Sequence, residues 1–162
     1  MKNILKLICM TIFILLCISC ASDAPYQGNP AVAVWDFDNL TPAAAVKEDL
    51  GEILSLQVID TLQKRGDHPV VERQRLLLAL EELKLGTTSL VDEATRLKLG
   101  RISGARLMVF GGYQIIGKQM RLDLRLVEVE TGRIIKAVQK VSSASDLSGW
   151  LNGARGAAEE LF

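Results

Sequence analysis

The chain has 162 residues, which is enough for one domain but not for two of ordinary size. Its nineteen basic and nineteen acidic side chains cancel. This balance argues against a general nucleic-acid binder, because such a protein needs an excess of Lys and Arg to contact phosphates. A hydrophobic content of 49% with 23% charged residues excludes an intrinsically disordered chain and is typical of a folded domain.

The N-terminal segment has the pattern of a bacterial export signal. Lys2 and Lys6 precede an apolar run that is too short to cross a hydrocarbon core of about 30 Å. The run ends in LCISC, which resembles a lipobox, with Ser19 as the small residue before the cleaved bond. Its leucine lies four residues before Cys20, whereas a lipobox prefers three. Residues 1–19 are therefore predicted to be a lipoprotein signal peptide and Cys20 the lipidated residue; a plain signal peptide or a single anchor helix are the alternatives.

Cleavage at this site would change both the charge and the cysteine inventory. The mature chain would keep seventeen basic and nineteen acidic side chains, and its single cysteine would be the anchor. No free thiol would then remain for a disulfide, a zinc site or a nucleophile. Because Ala21 and not aspartate follows Cys20, the sorting rule for lipoproteins favours the outer membrane. Residues 20–30 are predicted to be the lipidated cysteine with a polar, Pro/Gly-rich tether that extends about 35 Å at most.

Residues 31–162 are predicted to form one α/β domain, a mixed β-sheet with helices packed against it. The first strand is a nearly continuous apolar run, which is typical of a strand that is covered on both faces. The predicted order is β-α-β-α-α-β-β-β-α, with strands at 31–37, 68–71, 107–116, 120–130 and 133–141, and helices at 42–65, 72–85, 89–102 and 145–162. This alternation is the pattern of a sheet with helices on its faces.

The predicted helix boundaries depend on caps and glycines. Thr41 precedes a proline and is expected to cap the first helix. Ser89 is expected to cap the third helix, with Asp92 at the capping-box position. Either Ser145 or Asp146 is expected to cap the last. The glycines at positions 66, 86 and 104 are predicted to end the first three helices.

The strand at 120–130 has an alternating pattern that changes part-way along. Apolar residues occupy even positions as far as Leu126 and odd positions from Val127, so we predict a β-bulge near these two residues. The polar residues of the alternating part are Arg121, Asp123 and Arg125. They predict either a solvated face with cross-strand pairs or a protein contact surface.

Two aspartates are the sharpest indication of an enzyme. The stretch AVAVWDFDNLT, with Asp36 and Asp38, resembles the first motif of haloacid-dehalogenase-type phosphatases. There the first aspartate attacks phosphorus and the second serves as acid and base. The later strands offer no lysine or second acidic pair for the metal. We therefore interpret Asp36, Asp38 and Asn39 as turn and cap residues that bond local backbone, and we keep the phosphatase as an alternative.

Other chemistry is not supported by the sequence. His68 is the only histidine, which excludes a histidine-based triad and a histidine zinc site. The pair Gly111-Gly112 lacks a following P-loop lysine, and we attribute it to backbone crowding or a bend in its strand. We expect no catalytic residue, no metal ligand and no cofactor.

Four stretches together resemble the CsgG family and its relatives among envelope lipoproteins. They are VAVWDFDN at 32–39, VVER at 70–73, LGRISGAR at 99–106 and LVEVETG at 126–132. The resemblance implies an α/β periplasmic domain, no enzymatic activity, an outer-membrane lipoprotein and assembly with partners. In family members that carry transmembrane hairpins, it implies a ring-shaped export pore for curli secretion.

This chain departs from the pore-forming pattern. A membrane-crossing hairpin needs two strands of about 9–11 residues, and between Tyr113 and Arg121 there is room only for a tight turn at 117–118. We therefore predict a lipid-anchored adaptor at the outer membrane that faces the periplasm and binds other envelope proteins, with a homo-oligomer as a further possibility and no nucleic acid as a partner. The sequence does not distinguish between three roles for this adaptor: curli-type secretion, activation of peptidoglycan synthases and flagellar assembly. The candidate partner contacts are Asp38, Asn39, Arg121, Arg125 and the apolar stripe of the first helix.

Overall fold

The computed structural model describes residues 28–41, 50–83, 92–143 and 146–162. The strands in these ranges are β1 (Val32–Val34), β2 (Asp38–Asn39), β3 (Leu107–Ile116), β4 (Gln119–Glu128) and β5 (Ile134–Ser142), and the helices are α1 (Leu50–Arg65), α2 (Arg73–Glu82), α3 (Glu93–Ile102) and α4 (Leu147–Leu161). None of these helices is long and apolar enough to cross a membrane.

The strands form one mixed sheet in the order β1-β3-β4-β5, with β2 paired to β3 beyond the end of β1. Strands β1 and β2 run parallel to β3, with Val32 opposite Leu107 and Asp38 opposite Gly112. Strands β3, β4 and β5 are antiparallel neighbours. The predicted mixed α/β fold is confirmed. The predicted strand at 31–37 is shortened to β1, and the two-residue strand β2, which was not predicted, follows beyond its end. The predicted strand at 68–71 is a single bridge from Val70 to Val32.

Helices cover the two faces of the sheet unequally. Helices α1 and α4 pack on one face, where Leu54 and Val58 are fully buried. Helices α2 and α3 pack on the other face against β1, β3 and the end of β4, where Leu99 is fully buried. The apolar stripe of α1 was predicted as a partner contact. For its described part this is wrong, because Leu50, Leu54, Val58 and Leu62 form part of the core.

The helix ends confirm part of the capping prediction. Gly66 and Gly104 follow α1 and α3 with φ of 72° and 85°, the left-handed conformation that glycine adopts at helix ends. Asp146 caps α4 by accepting a hydrogen bond from the Gly149 N–H at 2.8 Å. Asp92 is itself the N-cap of α3 and accepts from the Thr95 N–H at 2.8 Å, so the capping-box role predicted for it was wrong. Ser89, Ser145 and the predicted helix start at 42–49 lie outside the described residues, as does Gly86.

The irregularity predicted near Leu126 and Val127 is present, but it has a different cause. The pairing of β3 with β4 continues through this point without a shift. Between β4 and β5 the register shifts, because β5 moves from Lys136 to Ile134 while β4 advances by one residue. The extra residue is therefore Ile135 on β5. The apolar positions of β4 change because Val127 lies under α2 and α3 and joins their core cluster.

Candidate functional site

One half of the sheet has a face that no described helix covers. On β4 it carries Arg121, Asp123 and Arg125, and the register places Val141, Gln139 and Ala137 of β5 beside them. We call these six residues the open face, and each is exposed or half-buried. The solvated face predicted from the alternation of β4 is confirmed. Of the predicted cross-strand pairs, Arg125 with Phe110 of β3 is present, whereas the neighbours on β5 carry no charge and form no ion pair with β4.

Ion pairs on the open face run along β4 and towards α3. Arg121 pairs with Asp123 on its own strand, with Nε 2.9 Å from Oδ2. Arg125 donates to Glu93 Oε2 at 2.8 Å, in the first turn of α3. Its guanidinium carbon also lies 5.8 Å from the centre of the Phe110 ring, a distance at which a cation is attracted to an aromatic face. Arg125 is therefore held in one orientation at the border of the helix-covered half.

Asp38 takes part in a second link to α3. Its two carboxylate oxygens accept hydrogen bonds from Arg96 Nη1 at 2.9 Å and Nη2 at 3.0 Å. The Arg96 side chain is only 11% exposed, against 47% for Asp38. A paired geometry of this kind fixes direction as well as distance. One side of the Asp38 carboxylate thus faces the protein while the rest stays accessible.

A groove of about 430 Å³ lies between this link and the open face. Its lining includes Asp38, Leu40, Gly112, Asp123, Arg125 and Gln139. The structure therefore brings together two of the predicted contacts, Asp38 and Arg125. Asn39 and Arg121 do not line it. Asn39 accepts a hydrogen bond from the Thr41 N–H at 2.9 Å, which is the local turn bond that was predicted for it.

Leu40 also lines the groove, and it belongs to the loop from Asp38 to Thr41 that the sequence indicated as a candidate contact. It is 56% exposed, and a Cβ on Gly112 would lie 2.7 Å from its Cδ1. Crowding at the glycine pair is thus confirmed, since a Cβ on Gly111 would lie 2.6 Å from Leu124 Cδ2. The double glycine in the sequence was a signal for this close contact, because a strand lacking side chains at adjacent positions lets another group approach closely.

Asp36 joins two helices through its side chain. Within the described residues, neither the Asp36 nor the Asp38 carboxylate accepts a hydrogen bond from local backbone, and both accept from side chains of distant segments instead. Arg73 donates to Asp36 through Nε at 3.1 Å and Nη2 at 2.8 Å, and the Ser55 hydroxyl donates to the same carboxylate at 3.2 Å. The Arg73 pKa is raised, chiefly because the hydrogen bond to Asp36 favours its charged form. Arg73 also lies 3.2 Å from Glu52. The cluster therefore ties α1 to α2 at the β1 edge.

Within the described residues, neither aspartate belongs to a group of side chains that could bind a metal ion. In the described ranges, no three His, Cys, Asp or Glu side chains are grouped so that they could hold an ion. Asp36 and Asp38 also point to different partners, Arg73 and Arg96. This arrangement differs from two aspartates aimed at one substrate.

Comparison with protein families assigns the chain. Residues 16–118 match the family model of the curli production assembly/transport component CsgG. The chain belongs to the CsgG family. The match contains three of the four stretches that carried the resemblance, and the stretch at 126–132 lies beyond it. Membership of this family supports a role in assembly or transport at the bacterial envelope.

Solved structures share the fold of this CsgG-family chain. The C-terminal domain of LpoB from Escherichia coli has a TM-score of 0.60 at 16% identity, covering 79% of this chain and 91% of that one. Lipoprotein GNA1162 from Neisseria meningitidis has a TM-score of 0.57 at 15% identity, covering 77% and 92%. A PelC dodecamer from Paraburkholderia phytofirmans has a TM-score of 0.54 at 16% identity, covering 86% and 91%. No curated protein sequence matches the chain.

Proposed function

We propose that this protein is a lipid-anchored adaptor of the outer membrane, which binds partner proteins in the periplasm during envelope assembly or curli-type secretion. Family membership supports the setting. The observation that carries the binding role is the open face with its groove, where Asp38 and Arg125 are held by partners on α3. Fixed charges beside exposed apolar groups such as Leu40 and Val141 suit a protein contact.

The position of Gly28, the first described residue, supports this role. The described chain begins at Gly28, which lines a surface cavity together with Leu107 and Glu128, at the start of β3 and the end of β4. Arg121 lies opposite Gln114, near the other end of β3. Strands rise about 3.3 Å per residue, so Gln114, and Arg121 opposite it, lie about 20 Å along the sheet from Leu107, the end at which Gly28 lies. A partner that binds near Arg121 would thus approach from the side away from the membrane.

The adaptor role accounts for the aspartates better than the phosphatase alternative does. The Asp36 carboxylate already accepts hydrogen bonds from Arg73 and Ser55, whereas a nucleophile must present a free oxygen to phosphorus. The proposal therefore includes no catalytic step. It leaves open whether the partner is a secretion component, a peptidoglycan synthase or a second copy of this chain, and a second copy has a precedent in PelC, which shares the fold and forms a dodecamer.

The anchor can be tested by lipid labelling in a Gram-negative host. The full chain should incorporate radioactive palmitate and sediment with outer membranes. Cys20→Ala should abolish the labelling and release the protein from that fraction. Labelling that survives Cys20→Ala, or a soluble wild-type protein, would contradict the anchor.

The contact surface can be tested by photo-crosslinking in the same cells. A photoreactive residue at Gln139, on the open face, should yield discrete adducts with envelope proteins. The same residue at Lys98, which is exposed on α3, is the matched control and should yield none. Equal adduct patterns from both positions, or no adduct from Gln139, would overturn the assignment of this face. A ladder of multiples of the chain mass would identify the partner as a second copy.

A further inference from the structure

The two edges of the sheet differ in whether another chain segment pairs with them. On the outer side of β1, the Val32 N–H donates to the Pro69 carbonyl at 2.8 Å and the Val71 N–H donates to the Val32 carbonyl at 2.8 Å. The chain segment before α2 thus covers this edge. Strand β5 pairs with β4 on one side, and within the described ranges no segment pairs with its other side. Such an edge presents unpaired backbone donors and acceptors.

The exposed edge is basic. Between Arg133 and Ser143 the chain carries Lys136 and Lys140 and no acidic residue. Both lysines share a face with Val138, the side on which α4 packs, because alternate residues of a strand face the same way. Lys140 is 2.8 Å from Glu160 of α4, with the two side chains 41% and 56% exposed. Lys136 is exposed and has no ion pair within the described residues.

We propose that the β5 edge binds an extended acidic segment of a partner protein, which adds a strand to the sheet over residues 136–142. Carboxylates at alternate positions of the segment would face Lys136 and Lys140. Its intervening side chains would lie beside Ala137 and Val141, which continue the open face. The backbone hydrogen bonds of an added strand supply affinity and the alternate side chains supply specificity. The inference rests on the proposed adaptor role and names the chemistry of the partner.

Charge decides between this occupant and a second copy of the chain. If two β5 strands paired antiparallel about Val138, Lys136 of one copy would lie directly opposite Lys140 of the other. Like charges in that position are unfavourable. Lysines on an edge strand also keep unrelated strands away, and a segment with carboxylates at the matching positions removes that penalty. The register shift at Ile135 interrupts the regular pairing of β5 with β4 just before Lys136.

The test uses the full chain in detergent and synthetic ten-residue peptides with alternating Glu and Val. Fluorescence polarisation should detect binding of the Glu-Val peptide, and those backbone amides of residues 136–142 that point away from β4 should exchange hydrogen about tenfold more slowly. A Lys-Val peptide should not bind. N-methylation of the Glu-Val peptide at one alternate set of residues should abolish binding and at the other set should preserve it, because a strand directs alternate amides to opposite sides. Equal binding of both methylated forms, or unchanged exchange in β5, would overturn the inference.

Charge reversal in the protein provides the second arm. Lys136→Glu should weaken binding of the acidic peptide about tenfold and should create binding of the Lys-Val peptide. Lys98→Glu makes the same change in net charge on α3 and should leave both affinities unchanged. If both variants weakened binding of the acidic peptide equally, the effect would come from net charge and not from the β5 edge, and the inference would be overturned. Because the adaptor role is tested separately by adducts from Gln139, adducts without peptide binding would contradict this inference alone.

Discussion

Arg96 holds Asp38 by both carboxylate oxygens, with nitrogen–oxygen distances of 2.9 and 3.0 Å across a sequence separation of 58 residues. The Arg96 guanidinium carbon also lies 5.6 Å from the centre of the Trp35 ring. The arginine therefore ties α3 to the short strand β2 and to the segment that follows β1. Because Asp38 lines the groove beside the open face, this pair positions one wall of the candidate site.

We expect Arg96→Ala to lower the free energy of unfolding by about 1–2 kcal/mol, since it removes a paired hydrogen bond, a cation–aromatic contact and buried aliphatic carbons. Asp38→Ala should cost less, about 0.5–1 kcal/mol, because its carboxylate is half exposed. Urea denaturation of both single variants and the double variant measures the coupling. Arg155→Ala, at an exposed arginine of α4, is the control. A loss from Arg96→Ala no larger than that of the control would contradict the structural role of the pair.

Two helical glycines should respond in opposite directions to alanine. A Cβ on Gly51, at the start of α1, would clash with the Phe37 carbonyl oxygen, and backbone cannot move aside without cost. Gly51→Ala is therefore expected to destabilise the fold by about 2 kcal/mol or more. A Cβ on Gly156, in α4, would meet only the Lys140 Cε at 3.5 Å. Gly156→Ala should stabilise by about 0.5–1 kcal/mol, the helix preference of alanine over glycine. Thermal unfolding measures the melting temperature of each variant, and changes of the same sign relative to the wild type would contradict this packing.

Leucines two residues apart on α1 should differ strongly in their contribution to stability. Leu54 is fully buried against the sheet, whereas Leu56 is 43% exposed. Leu54→Ala should lower the free energy of unfolding by about 2–5 kcal/mol through lost burial and the resulting cavity. Leu56→Ala should change it by less than about 1 kcal/mol, because its side chain is already half in water. Similar losses in chemical denaturation would mean that α1 does not bury this face.

Local patterns in the sequence were sufficient for much of the fold. The strands from Leu107 to Ser142 follow alternating or continuous apolar runs. Gly117 lies in the predicted turn at 117–118 and Gly132 between the next two predicted strands, and both have a left-handed φ. Helix ends at Gly66 and Gly104 followed in the same way. These features depend on neighbours within a few residues, which a pattern can report.

Contacts between distant segments were not predictable from local patterns. Asp36 and Asp38 looked like turn residues, but their arginine partners are 37 and 58 residues away, and nothing in the spacing indicates which helix an aspartate will meet. The change of pattern after Leu126 had the same origin. It reflects which half of the sheet α2 and α3 cover, a property of the whole fold. The open face was visible only as an ambiguous polar stripe on β4.

Acid should weaken the fold through carboxylates near β4 and β5. The Glu128 pKa is lowered from 4.5, chiefly by the hydrogen bond that it accepts from the Thr131 hydroxyl. The Glu160 pKa is lowered from 4.5, chiefly by the hydrogen bond from Lys140. A carboxylate with a lowered pKa in the folded state stabilises the fold above its unfolded pKa, and this contribution disappears as pH falls through the folded value. The free energy of unfolding should therefore decline as pH falls below about 4.5.

The double variant Glu128→Gln, Glu160→Gln isolates these two groups. It should be less stable than the wild type at pH 7 and should lose less stability between pH 6 and pH 3, since both lowered pKa values are absent. The matched control is Glu81→Gln, Glu82→Gln, at exposed positions of α2, which changes the net charge equally. Urea titrations across this pH range compare the three proteins. If the control reduced the loss of unfolding free energy between pH 6 and pH 3 as much as the test variant, the pH dependence would come from net charge and not from the bonds to Thr131 and Lys140.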